Sequence, residues 1–88
     1  MGVKKWFVYI IQTKAGIYYT GITTDPERRL KEHQSSPKGA KFMRGKGIKG
    51  FVFLREGANR SEVSKLEAQI KKLKRAQKQQ LIQGLIHL

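Results

Sequence analysis

The sequence predicts an α+β domain: a three-stranded antiparallel sheet flanked by helices, in the order β-β-α-β-α-α. Three observations carry this. Two segments rich in aromatic and β-branched residues, 5–12 and 17–22, are separated by only a short Gly-containing turn. A third such segment, Phe51 to Arg55, follows a basic glycine-rich stretch. Beyond it, apolar residues recur at helical spacing almost to the end of the chain.

The first strand spans Lys5 to Gln12, KWFVYIIQ. Its alternating sets, Trp6/Val8/Ile10 and Phe7/Tyr9/Ile11, are both apolar, which predicts a central strand covered on both faces. Thr13-Lys14-Ala15-Gly16 makes the turn, with Gly16 free to adopt positive φ. Ile17 to Ile22 returns antiparallel, since so short a connection allows nothing else. Asp25 caps the first helix, Pro26 suits its first position, and the helix is expected to run to about Gln34. Residues 38 to 50 read as a basic, partly irregular loop, with a helical turn possible around 40–44. Phe51 to Arg55 is the third strand. Asn59 or Ser61 caps the second helix, whose stripe is Val63, Leu66, Ile70 and Leu73. A short third helix covers Arg75 to Gln83, with Leu81, Ile82 and Leu85 as its apolar side and Gly84 near its end.

The 88 residues, 10.1 kDa, fit a single domain over 1–88 and exclude a large multi-domain enzyme. No cysteine is present, which removes disulfides, thiolate nucleophiles and Cys-based zinc sites. The longest apolar run, Trp6 to Ile11, is far too short to span a bilayer, and it lacks a signal-peptide cleavage signature. A cytoplasmic location is therefore expected.

Charge is the first functional indication. Nineteen Lys and Arg oppose six Asp and Glu, a net +13. Self-repulsion on that scale gains the fold nothing, whereas a polyanionic partner offsets it. Ten of the nineteen fall in two acid-free segments. Lys38, Lys41, Arg44, Lys46 and Lys49 form one; Lys71, Lys72, Lys74, Arg75 and Lys78 form the other. Two such segments fit a surface that follows a nucleic-acid backbone, with Lys38, Lys41, Arg44, Lys46, Lys71 and Lys72 as candidate contacts. A membrane-surface or ribosome-associated role rests on charge alone, and no membrane partner is expected.

Individual residues add chemistry. Arg29 and His33 lie four apart on the first helix and share a face, which among Arg28, Lys31 and Glu32 reads most simply as solvated. Glu67 falls at the edge of the Val63/Leu66/Ile70/Leu73 stripe, where water is scarce. It can pair with Lys71 at i,i+4, or hold a divalent cation, since magnesium commonly uses one or two carboxylates with phosphate and water. On the second strand Tyr19 and Gly21 share a face and Tyr18 points the other way. Gly21 leaves room for another backbone or a phosphate to approach.

Taken together, Tyr9 at the end of Phe7-Val8-Tyr9, Tyr19-Thr20-Gly21, then Arg29, His33 and Glu67 resemble the GIY-YIG nuclease domain. The resemblance covers about residues 4 to 83. TGITTDPERRLKEH, Lys38 to Lys41 and Gln69 to Leu73 are similar to the small stand-alone bacterial members. The literal Gly16-Ile17-Tyr18 abuts Tyr19 and leaves no room for a turn, so the first tyrosine is Tyr9, in a triplet lacking its glycine. Many members also carry an asparagine beyond the acid, where this chain offers glutamines such as Gln79.

The resemblance implies hydrolysis of a DNA phosphodiester with one divalent cation, Mg2+ or Mn2+, held by Glu67. It implies that Arg29 donates to the phosphate oxygens, and that Tyr9 or Tyr19 helps activate water with His33 hydrogen-bonding nearby. A phenol is a poor base at neutral pH, so adjacent cations are expected to lower its pKa. DNA is the expected partner, with RNA also open, and the chain is expected to act as a monomer. The competing reading is a non-catalytic basic nucleic-acid-binding module.

Overall fold

Strand β1 (Trp6–Thr13) is built of β-branched and aromatic residues that pack on both sides, and it occupies the middle of the sheet. The computed structural model describes residues 5–35 and 47–88. In it β1 pairs antiparallel with β2 (Tyr18–Thr23) on one side and with β3 (Ile48–Gly57) on the other, giving the order β2-β1-β3. Helices α1 (Pro26–Ser35), α2 (Arg60–Lys72) and α3 (Arg75–Ile82) complete the expected β-β-α-β-α-α order. Lys38, Lys41, Arg44, Lys46 and the turn suggested around 40–44 lie outside the described residues.

The β1–β2 turn forms because Gly16 takes φ +86° and the Thr13 hydroxyl accepts the Ile17 amide at 3.0 Å. Side chains then segregate by strand parity. Val8 and Ile10 face α2 and α3 and join Val63, Ile70 and Leu81, while Tyr9 and Ile11 face the opposite way with Tyr19, Leu30 and Phe51. Val8, Ile10, Ile11 and Val63 are fully buried. Burial of each such side chain is worth about 1.5–3 kcal/mol. Asp25 caps α1 by accepting the Arg28 amide at 3.2 Å, and of the two candidates for α2 it is Asn59 that accepts the Glu62 amide, at 2.9 Å.

Two local readings are corrected. Strand β3 begins at Ile48 and ends at Gly57, well beyond the expected 51–55, because pairing with β1 carries the ladder through Gly50 and Gly57, which have no strand propensity of their own. Its register shifts between Ile10 and Ile11, where Phe53 and then Phe51 are the partners. This bulge puts the two phenylalanines on opposite faces, where an unbroken alternation would put them on one. Leu85 does not belong to the apolar side of α3. Gly84 at φ +78° ends the helix in a Schellman turn, with Leu85 N–H donating to Gln80 O at 2.8 Å, and Leu85 stands 68% exposed.

Gly57 leads into α2 with no room for a side chain: a Cβ there would lie 2.5 Å from Val63 Cγ1. Gly57→Ala is therefore expected to cost about 1–3 kcal/mol through overpacking, read as a lowered midpoint of urea unfolding.

Candidate active site

The site grows from the inner tyrosine of β1. Tyr9 is 1% exposed and pairs across the ladder with Gly21 of β2. A Cβ at Gly21 would lie 2.6 Å from Tyr9 Cζ and collide with its hydroxyl, so the phenol ring lies directly over the glycine backbone. The space left by Gly21 is filled by a side chain of the same sheet, which corrects the expectation of a backbone or a phosphate there. On the other flank Phe51 meets the Tyr9 ring edge to face at 5.4 Å, a wall created by the bulge in β3.

Helix α1 brings two groups to the Tyr9 oxygen. Arg29 Nε donates to it at 3.3 Å, and His33 Nε2 lies 3.1 Å from it. The i,i+4 spacing makes this possible, since both side chains leave the helix on one face. That face is not solvated: the His33 residue is 5% exposed. Tyr19 joins through its ring, edge to face with His33 at 5.2 Å. Arg29 is steadied by Glu32, whose carboxylate lies 3.6 Å from its Nη1, a contact whose i,i+3 spacing was visible in the sequence.

Electrostatics follow from this packing. Burial raises the Tyr9 pKa above its ordinary 10.0; the Arg29 hydrogen bond and charge oppose this without overcoming it, and the Tyr19 and Glu67 charges add to it. The expectation of a phenol made acidic by nearby cations is thus corrected for the protein alone: desolvation wins. Burial, then the Arg29 charge, lowers the His33 pKa below 6.5 despite Glu32, so its ring is neutral at pH 7. Arg29 is pushed up, chiefly by its bond to Tyr9. His33 Nδ1 is buried with no hydrogen-bond partner among the described residues.

Glu67 comes from α2, which packs under β1 and β2 on the Val8/Ile10 side, yet its charge bears on the Tyr9 phenol. Its side chain is 24% exposed and lies 3.6 Å from Lys71 Nζ, so the i,i+4 pair forms. Lys71 and Lys72 are exposed in the last turn of α2. Tyr18 faces away from this cluster, within the other core group, and Arg75 of α3 stacks over its ring at 4.7 Å. Sequence reasoning missed that stack, as it missed Phe51; neither has a local signal. Gln79 is exposed on α3.

A sheet with helices on both faces, whose central strand offers a tyrosine to an arginine and a histidine of the first helix, defines a small α+β domain of the GIY-YIG class. The GIY-YIG catalytic domain profile matches residues 5–80, and the chain belongs to that family, whose function is of the nuclease type and directed at nucleic acid. Nucleases of this family generally use a divalent metal. The UPF0213 protein YE0453 of Yersinia enterocolitica is 48% identical over 77 residues, 88% of this chain and 78% of that protein. The UPF0213 protein PC1_0597 of Pectobacterium carotovorum is 49% identical over 79 residues, 90% and 79% of the two chains. The solution NMR structure of the UPF0213 protein BH0048 from Bacillus halodurans superposes with a TM-score of 0.58 at 40% identity, covering 90% of this chain and 83% of that one.

The lowered His33 pKa has a stability consequence. The unfolded chain takes up the histidine proton at higher pH than the folded protein does, so stability falls as pH drops below about 6.5. Urea midpoints measured stepwise from about pH 7.5 to 5 should decline in the wild type and decline less in His33→Gln.

Proposed function

We propose that this protein is a divalent-metal-dependent endonuclease that hydrolyses phosphodiester bonds in DNA, acting as a cytoplasmic monomer. The observation that carries the reading is the grip on one phenol oxygen: Arg29 Nε at 3.3 Å and His33 Nε2 at 3.1 Å. One partner is enough to satisfy a buried hydroxyl; a guanidinium and a neutral imidazole on the same atom exceed that need.

In this reading Tyr9 accepts the Arg29 N–H and donates its own proton to His33 Nε2. The phenol is too weakly acidic to lose that proton to bulk water at neutral pH, but a neutral imidazole in contact can take it as the phenol oxygen draws a proton from the attacking water. Proton movement along this pair avoids a free phenolate in a buried site. Arg29, charged at any working pH, turns its remaining N–H groups toward the nonbridging phosphate oxygens, where negative charge grows. Tyr19 closes the site beside His33.

Glu67 is the residue suited to hold a cation. Among the described residues no three His, Cys, Asp or Glu side chains come together. The donor set therefore fits an ion that shares one protein carboxylate with phosphate oxygens and water, the manner of Mg2+ or Mn2+. Such an ion, when bound, would supply charge neutralisation at the phosphate and the leaving oxygen. Lys71, Lys72 and the neighbouring Lys74 and Arg75 extend positive charge beyond Glu67 and would bind flanking phosphates.

Supercoiled plasmid tests the reading. Nicking is expected only with added Mg2+ or Mn2+, and Tyr9→Phe and Glu67→Gln should each reduce it by about 100-fold or more while DNA binding stays within a few fold. Equal nicking by wild type and Glu67→Gln would reject it. Steeply salt-dependent binding with no cut product in any metal would favour the non-catalytic module instead.

A further inference from the structure

Next to the Tyr9–Arg29–His33 cluster, and sharing Arg29 with it, is a cavity of about 340 Å3 whose walls include Trp6, Ile22, Thr24, Asp25 and Glu32. That size falls at the small end of ligand pockets, which begin at roughly 300 Å3. Its chemistry differs from that of the surrounding protein. The chain carries +13 with only six acids, yet two of those six, Asp25 and Glu32, line this one cavity. They balance the two arginines there, Arg28 and Arg29. A phosphate gains little from a locally neutral hollow with two carboxylates in its wall. An uncharged, flat, partly apolar group gains more: Trp6 and Ile22 offer apolar surface, and the carboxylates and threonine hydroxyls offer acceptors for amino groups. Trp6 is held in place, half-buried against the core with the Arg60 guanidinium 5.6 Å from its ring centroid.

We propose that this cavity is a nucleobase subsite, which takes the base of the nucleotide adjoining the phosphate at Arg29. The proposal rests on the nuclease reading of the neighbouring cluster and adds to it the part of the substrate that the cluster leaves out. One arginine on the shared wall joins the two halves: its Nε faces Tyr9 at 3.3 Å, while its Nη1 pairs at 3.6 Å with Glu32 in the cavity wall. A nucleotide laid across Arg29 has its phosphate on the tyrosine side and its base on the Trp6 side. A base seated there has left its stack, so strands already unpaired, or easily unpaired, are the preferred substrates.

The test needs neither cleavage nor metal. In metal-free buffer, dAMP and deoxyribose 5-phosphate are titrated in parallel against the wild-type protein. Binding is followed by the fluorescence of Trp6, the chain's single tryptophan, and by the amide resonances of Thr24 and Asp25. The expected result is quenching and resonance shifts with dAMP but not with deoxyribose 5-phosphate, and a loss of dAMP affinity on the order of tenfold in Thr24→Phe, which fills the cavity. Equal responses to the two probes, no response of Trp6, Thr24 or Asp25 to dAMP, or dAMP affinity unaltered in Thr24→Phe would overturn the subsite. Loss of the base-dependent signal while plasmid nicking stays dependent on Tyr9 and Glu67 removes the subsite alone. Absence of nicking by the wild type removes the cleavage reading whatever the nucleotides do.

Discussion

A phenol in the middle of a sheet, pressed against a glycine and held through its oxygen by two side chains of the first helix, is the constraint around which the molecule is arranged. Tyr9 occupies the central strand, and its ring lies on Gly21 because nothing larger fits at that rung. The ring in turn fixes where α1 lies: Arg29 and His33 reach the oxygen only if the helix crosses this face, with Leu30 between them entering the same apolar group. A buried hydroxyl without partners would cost the fold about 1–3 kcal/mol, so the Arg29 and His33 contacts satisfy a structural demand.

Burial of this cluster has two electrical results that work together. It raises the phenol and lowers the imidazole, leaving both neutral at pH 7 with one proton between them. A neutral pair at rest avoids the cost of a buried charge in a site poor in water. The permanent charges sit at the margins instead. Arg29 lies partly exposed at the border with the Trp6 cavity, and Glu67 is partly exposed with Lys71 beside it. The GIY-YIG match over residues 5–80 covers both groups of residues.

Most of the architecture was legible because short-range signals agreed with one another. The two apolar parities of 6–11 required a central strand, the tight turn at Gly16 required an antiparallel partner, and Asp25-Pro26 marked a helix start that the structure keeps. The site was legible as a set of residue types at suggestive spacings. Arg29 and His33 on one helical face, and Glu67 at the edge of an apolar stripe, were visible without coordinates. The sequence was silent where pairing overrides propensity. The ladder drew residues 48–50 and 56–57 into β3 despite two glycines, and the bulge that sends Phe51 and Phe53 to opposite faces has no local mark.

By itself, then, the chain determined its elements, their order and its strong positive charge, since these follow from composition, periodicity and turn chemistry within a few positions, and it carried the set of residues by which it resembles a nuclease family. Only the tertiary structure decided what those residues do to one another. Whether the phenol became more or less acidic depended on burial outweighing the Arg29 charge. The use of Gly21 to admit a ring, and the gathering of two of six acids beside Trp6, depended on strands and helices distant in sequence meeting in space. Such outcomes are set by distance and solvent exclusion, which no spacing along the chain encodes.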